Sequence, residues 1–544
     1  MWSRILPLAF ALALGLSGAS AEVPLFEGIG SHKREITTNS PEAQRYFNQG
    51  LAFLYAFNHD EAIRSFEEAA RLDPECAMAH WAIALACGPH INNPAVPASR
   101  AEQAWKELAL AKQHAASAAP VEQALIAALD HRYANPQPED RTALDRAYAE
   151  AMRKVWEAFP KDADIGALLA EALMDLRPWD LWTPDGKPQP GTDEIVAIHE
   201  TVLQLNPNHP LANHLYIHTV EAGPHPELAD GAAERLRNLQ PGMGHNTHMP
   251  SHIDVLRGRW HEAIEANEKA IRADLAYREV TGQRPDFFRI YMAHNRHMLS
   301  YAAMMTGQGE LSLTHIKAMV AEMPTAWLKD NAFLADSFVA MPYEVLVRFG
   351  RWEDILALPK PGDHLPFTIA FHHAARGIAL AATGDAAAAL AEQKTFLTAR
   401  DAVPEEWIIG NNACGDVLQL VTHMLEGEIS YREGKVDLGL AALRQAVELE
   451  DNLRYDEPPG WILPVRHALG ATLMQERRFA EAEAVYQEDL KHRPENGWSL
   501  FGLAECLTRQ GKVKAAAPFQ ERFEKMWRKA DVQINSSCLC QPGL

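Results

Sequence analysis

Residues 46–74 read YFNQGLAFLYAFNHDEAIRSFEEAARLDP, and six positions in this stretch decide the fold. Tyr46, Gly50, Ala62, Phe66, Ala69 and Pro74 set small residues where two antiparallel helices must approach closely and aromatic rings where the gap between them needs filling. The proline falls where the second helix must stop. The expected unit is helix, turn, helix, about 34 residues long. One such unit cannot bury its own apolar stripe, so copies stack and bury it against one another.

Outward from this stretch the signal returns as a turn glycine followed by a new helix: Gly258-Arg259-Trp260-His261-Glu262-Ala263, Gly350-Arg351-Trp352, Gly384-Asp385, Gly434-Lys435 and Gly511-Lys512. With that glycine as the fifteenth residue, units begin near Pro210, Gly244, Ala293, Asp336, Ala370, Leu420, Leu463 and Gly497. The Pro210 unit is placed by Ala229 and Pro241 instead. Three steps are 34 residues (210 to 244, 336 to 370, 463 to 497) and the others run from 43 to 50, so loops are inserted between some units. The pattern resembles the tetratricopeptide repeat, and predicts an all-α chain of helix-turn-helix repeats stacked in a curved solenoid with no need for strands.

The chain divides into a leader at 1–21, an N-terminal segment at 22–42, N-terminal repeats at 43–176 and a loop at 177–192. His-rich central repeats at 193–311, C-terminal repeats at 312–530 and a cysteine-bearing tail at 531–544 follow. The 177–192 loop holds four prolines, two glycines and two tryptophans, which cannot continue a helix and favour a packed loop over a floppy linker. Met249-Pro250 and Met341-Pro342 each precede a Gly-Arg-Trp turn. Their helices are therefore expected to start late, near Asn246 or Thr247 and near Val339, with the proline in the first turn.

Residues 1–21 carry one charge, Arg4, then an apolar run from Ile5 to Leu16 and the small residues Ala19-Ser20-Ala21. This predicts export with cleavage after Ala21, and a periplasmic or secreted protein beginning at Glu22. No cysteine follows the cleavage site, which argues against a lipid anchor, and no later run suffices for a membrane span. Lys+Arg 51 against Asp+Glu 72 gives a formal charge of -21, which repels phosphate backbones and makes nucleic acid an unexpected partner. Cys76 and Cys87, at the two ends of one helix, lie about 15 Å apart and cannot pair. Cys538-Leu539-Cys540 is open to three readings: a soft-metal thiolate pair, two separate disulfide ends, or an oxidised or disordered tail.

Of 24 histidines, 8 fall between His209 and His261. Residues three and four apart share a helix face, so His214, His218 and Glu221 form one row, and His248 and His252 a second. In tetratricopeptide folds the first helix of each unit lines a concave groove through its second, fifth, ninth and twelfth residues. The resemblance thus implies a groove carrying His214, His218 and Glu221, then His245, His248 and His252, then His294, His297 and Tyr301, with Glu344 on the next unit. Two imidazoles at i, i+4 can grip one ion, and the nitrogen-rich set suits copper, iron, zinc or manganese. His59, His80, His131, His372, His423 and His492 are expected as hydrogen-bonded packing, and His209, His225 and His261 as capping or solvated.

The segments 57–81, 214–222, 244–253 and 457–470, among them Gly244-His-Asn-Thr-His-Met-Pro-Ser-His252, resemble a His-rich family of exported bacterial tetratricopeptide-repeat proteins. That resemblance implies the fold and no reaction. Without a Gly-rich phosphate loop, a Gly-x-Ser-x-Gly elbow or a His-Glu-x-x-His helix, binding comes before catalysis: an exported solenoid whose groove holds a ligand, a transition metal ion first of all. The alternatives are a metalloenzyme on the same cluster, with an open coordination position, the 177–192 loop as lid and a small-molecule substrate, and a metal-free scaffold that docks a protein or peptide.

Overall fold

In the computed structural model, which describes residues 23–282 and 288–541, the fifteenth residue of the repeating unit takes the left-handed backbone conformation in every unit but the one opened by Pro210, where that residue is Pro224. Gly258 (φ 71°), Gly307 (70°), Gly350 (62°), Gly384 (92°), Gly434 (79°) and Gly511 (75°) all do so. This tight turn reverses the chain between the two helices of a unit. In the unit opened by Pro41–Leu54 and His59–Leu72 the turn residue is Phe57 (φ 58°), and near Leu463 it is Arg477 (56°). A side chain in that region costs about 1–2 kcal/mol, so packing holds these two where the backbone alone would not.

The first unit shows why these residues form these elements. Ser40 caps Pro41–Leu54 by accepting from the Ala43 N–H, and Asn58 caps His59–Leu72 by accepting from Glu61. Gly50 lies against the Phe66 ring, which a Cβ there would overlap. Alanine is the better helix former by about 1 kcal/mol, but overpacking a fixed ring costs about 1–3 kcal/mol. Gly50→Ala is expected to lower stability by about 1–2 kcal/mol in urea unfolding; an unchanged or raised midpoint would show that Phe66 has room to move.

Helix pairs follow one another to Val513–Met526, enclosing two large apolar cores. One spans Ile36 to Met292, the other Val255 to Cys540, and a small third around Tyr216, Ile217, Met249 and Ile253 lies between them. The C-terminal repeats reach back to the centre: the Trp260 indole donates to Pro494 O at 2.7 Å, and Glu457 meets His252. The C-terminal repeats therefore reach the middle of the stack, and among the described residues the central histidines other than His294 are buried. No helix among the described residues is long and apolar enough to cross a membrane.

Several local expectations are corrected. A two-residue antiparallel hairpin, Ile408–Ile409 with Asn412–Ala413, interrupts the all-helical chain where Gly410 supplies a turn (φ 54°). The helix expected near Asn246 begins at Gly244, breaks at Met249 and resumes as Pro250–Leu256. Pro342 is not in a first turn but inside Ala332–Arg348, whose buried Ala335, Ala340, Met341 and Tyr343 hold it helical despite the missing N–H. The tail is neither disordered nor a pair of separate disulfide ends: Cys538 joins Cys540, and Ser537 O accepts from the buried Arg348 guanidinium. The other four cysteines, Cys76 and Cys87 among them, are free and buried. The proposed leader lies outside the described residues.

Candidate metal centre

Three consecutive units bring their first helices side by side: Pro210–Val220, the broken pair Gly244–His248 and Pro250–Leu256, and Phe288–Met305. His214 and His218 rise one turn apart on the first, and His245, His248 and His252 wind along the second. One ligand atom from each of His214, His218 and His245 lies within 4.8 Å of the others, and the same holds for His248, His252 and His294. The two trios touch through the His218 and His252 rings, 5.3 Å apart. All but His294 are buried.

The hydrogen bonds behind the rings fix which nitrogen faces inward. His214 Nδ1 meets Tyr55 O at 3.2 Å and His218 Nδ1 meets Glu221 Oε1 at 2.7 Å. His248 Nδ1 meets Asn267 Oδ1 at 2.6 Å, and His252 Nδ1 meets Glu221 Oε2 at 2.8 Å and Glu457 Oε2 at 2.6 Å. The Asn267 amide cannot be reversed, because its Nδ2 donates to Ala263 O. A carbonyl, amide or carboxylate oxygen only accepts here, so each Nδ1 carries the proton and each neutral ring turns an Nε2 lone pair inward. His218 Nε2 has no partner, while His248 Nε2 and His252 Nε2 face each other at 2.7 Å. Two lone pairs at that distance repel, and only a cation between them makes the contact favourable: a proton or a metal ion.

Electrostatics selects where a proton would sit. Burial holds His214, His245, His248 and His294 well below the usual imidazole range, with neighbouring imidazoles adding to it for all four. His218 falls to about 3, chiefly through burial. Burial also lowers His252, but the charges and hydrogen bonds of Glu457 and Glu221 outweigh it and lift the ring to about 10. A metal-free His252 is thus an imidazolium that donates Nε2–H to His248. Glu457 itself is raised by burial and by Glu221.

Two bulky residues held at positive φ close over the site. Phe57 sets its ring 4.5 Å from His214 and 5.7 Å from His245. Trp179 (φ 57°) packs edge-on against His218 at 5.0 Å, its indole donating to Asn92. Trp182 donates to Thr219 O at 2.7 Å. The 177–192 loop is thus tied to the helix that bears His214 and His218, and strained backbone of this kind concentrates at functional sites.

Of the residues singled out in the sequence, His214, His218, His245, His248, His252 and His294 come together. Glu221 meets His218 Nδ1 and His252 Nδ1, and with His218, His252 and Glu457 it forms a further group whose ligand atoms lie within 4.8 Å of one another. His297 and Glu344 join neither trio: His297 packs against Phe338, and Glu344 accepts the Ile462 N–H at 3.0 Å. Sequence reasoning missed Glu457, Asn267 and the Tyr55 carbonyl. His131 and His492 are exposed instead of packed, being at a turn and at a helix end. His209 is a cap, accepting from Ala212, but is buried instead of solvated.

The same test of ring nitrogens sets aside another cluster. His32, Asp164 and His209 meet closely, but His209 Nδ1 accepts from the Ala212 N–H at 3.2 Å, so its Nε2 carries a proton aimed at Asp164. Arg34 already pairs with Asp164 at 3.0 Å. That cluster is a structural clasp. Near Glu428, the sulfurs of Cys538 and Cys540 are spent on each other.

Tetratricopeptide repeat models match residues 43–76 and 473–519. No curated relative matches the chain. Among solved structures, the human IFIT1 dimer with m7Gppp-AAAA aligns at a TM-score of 0.32 and 14% identity, covering 90% of this chain and 91% of that one. The APC/C hetero-tetramer Cut9–Hcn1 aligns at 0.29 and 12%, covering 90% and 76%. Yeast Tom70 aligns at 0.29 and 10%, covering 89% and 91%. The chain is an all-α stack that carries tetratricopeptide repeats near both of its ends.

Proposed function

We propose that this protein binds transition metal ions in the heart of its solenoid, one on His214, His218 and His245 and one on His248, His252 and His294. The observation that carries this reading is the set of Nδ1–H···O anchors at Tyr55, Glu221, Asn267 and Glu457, which aim four imidazole lone pairs into one buried space. Metal-bound imidazoles are held in this way, by a carboxylate or carbonyl on the far nitrogen. Three imidazoles with no thiolate suit zinc or copper and leave a coordination position open. The leader-like residues 1–21 further support action after export.

The test is metal uptake by untagged protein after chelation and dialysis, read by elemental analysis. Stoichiometric zinc or copper is expected at neutral pH, and none at all would leave a metal-free scaffold. Glu221→Gln separates orienter from ligand, since it removes no imidazole but loosens the hold on both His218 and His252. It is expected to weaken binding about 10- to 100-fold with the number of bound ions unchanged. A variant that binds one ion fewer at saturation would make Glu221 a direct ligand.

A further inference from the structure

The Cys538–Cys540 disulfide joins residues only two apart in sequence. The stabilisation a cross-link gives grows with the length of chain it restrains, so as a staple this bond does little. The tail has other anchors: Ser537 O accepts from Arg348 at 2.8 Å, the Ser537 and Tyr486 hydroxyls meet at 2.7 Å, and the Arg432 guanidinium donates to Cys540 O. The surroundings of the two sulfurs suit chemistry better. Cys538 is partly exposed, whereas Cys540 is buried. A carboxylate oxygen of Glu428 and both sulfurs lie within 4.8 Å of one another. Glu428 is itself buried, and the Gln541 amide donates to its Oε2 at 3.2 Å. Burial lifts this carboxyl to about 6, against the opposing pull of Arg432 and Gln541.

We propose that Cys538 and Cys540 form a thiol–disulfide exchange centre that oxidises dithiols, with Cys538 the sulfur attacked, Cys540 the leaving sulfur and Glu428 its proton donor. One thiolate of the dithiol attacks Cys538 Sγ and the Cys538–Cys540 bond breaks. Its electron pair leaves on Cys540 Sγ, which takes the Glu428 proton directly or through one water. The donor's second thiol gives its proton to the Glu428 carboxylate and attacks the donor sulfur held in the mixed disulfide. Cys538 then leaves with the electron pair and takes a proton from water. Two electrons and two protons pass from dithiol to protein, and Glu428 ends as it began. Arg432, one helical turn from Glu428 on Cys414–Arg432 and bonded to Cys540 O, sets positive charge near the leaving sulfur. A neighbouring guanidinium favours a thiolate and so eases its departure. The inference goes beyond the metal reading and does not depend on it.

The probes are dithiothreitol, a dithiol, and glutathione, a monothiol whose first product is the mixed disulfide. Oxidised full-chain protein is mixed with each, quenched in acid, alkylated and read by peptide mass spectrometry. Dithiothreitol is expected to open the bond about tenfold faster or more than it opens the same bond in a synthetic peptide of residues 531–544. Glutathione should add first to Cys538. Glu428→Gln keeps an oxygen for the Gln541 amide but carries no proton to give, so exchange with dithiothreitol should slow about 100-fold. Its pH profile should then follow the thiol of dithiothreitol alone, with no step near 6. A rate no higher than the peptide's, a first adduct on Cys540, or a Glu428→Gln rate equal to the wild type at every pH would overturn the proposal. The first two readings use the unaltered protein, so a variant that fails to fold cannot mask them.

Discussion

His294→Ala and His252→Ala are both expected to lose metal at their trio, but only the second should weaken the metal-free protein. His294 is half-buried and meets the other histidines only through its ring, 4.5 Å from His248 and 5.7 Å from His252. Its removal leaves no buried charge behind and should cost the metal-free form about 1 kcal/mol at most. His252 is the cation between Glu221 and Glu457. Deleting it leaves those buried carboxylates facing each other, a change of the kind that costs about 3–5 kcal/mol. With free metal 100-fold above the dissociation constant, bound metal adds about 2.7 kcal/mol, and each variant forfeits its trio's share. Binding at the second trio should weaken as pH falls below about 10, where His252 takes up the proton that the metal must displace. The first trio, whose rings are held below the usual imidazole range, should keep its lone pairs well below pH 6.5. Thermal unfolding with and without zinc gives all four values. If His294→Ala still gains as much from zinc as the wild type, the His248, His252, His294 trio is not a metal site.

The turn glycines and the i, i+4 histidine rows were legible because both are local: a tight reversal wants φ above zero, and a helix face repeats every three to four residues. Phe57 was not legible as a turn residue because it occupies the left-handed turn position without being glycine, and Trp179 takes the same backbone conformation within the Pro-rich loop. What orients the imidazoles was not legible for a different reason. Asn267 comes from the paired helix, the Tyr55 carbonyl from the first unit and Glu457 from a segment more than two hundred residues past His252. Nothing in Glu457-Pro458-Pro459-Gly460-Trp461 announces that partner beyond its inability to continue a helix. His297 and Glu344 were placed by carrying a regular groove register across inserted loops. The helix described from Phe288 and the one that begins at Ala332 extend several residues ahead of the units assumed at Ala293 and Asp336, and contacts from the C-terminal repeats, such as Glu457 on His252, reach the central histidines.

Asp164→Ala is expected to cost about 3–5 kcal/mol at neutral pH, because one carboxylate gathers the N-terminal segment and three helices. Its Oδ1 accepts from His32 at 2.9 Å, His209 at 3.0 Å and the Tyr55 hydroxyl at 2.8 Å, and its Oδ2 from Arg34 at 3.0 Å. Alanine would leave those buried donors with nothing to bond, apart from Arg34, which keeps Asp162. Asp164→Asn preserves Oδ1 but turns an amide N–H towards Arg34, so a smaller loss of about 1–3 kcal/mol is expected. Burial favours the neutral acid, yet the hydrogen bonds and charges of His209 and His32 hold this carboxyl well below the usual range. A depressed carboxylate stabilises the fold fully above its unfolded value, about 3.9, and loses that contribution as pH falls through the folded one. The gap between wild type and Asp164→Ala should therefore be widest at neutral pH and narrow only in strong acid. His209 also caps Pro210–Val220, the helix that carries His214 and His218, so the alanine variant should bind metal more weakly as well. Urea unfolding at pH 7 and pH 3 measures the difference, and a cost below about 1 kcal/mol at pH 7 would mean that the clasp does not hold these elements together.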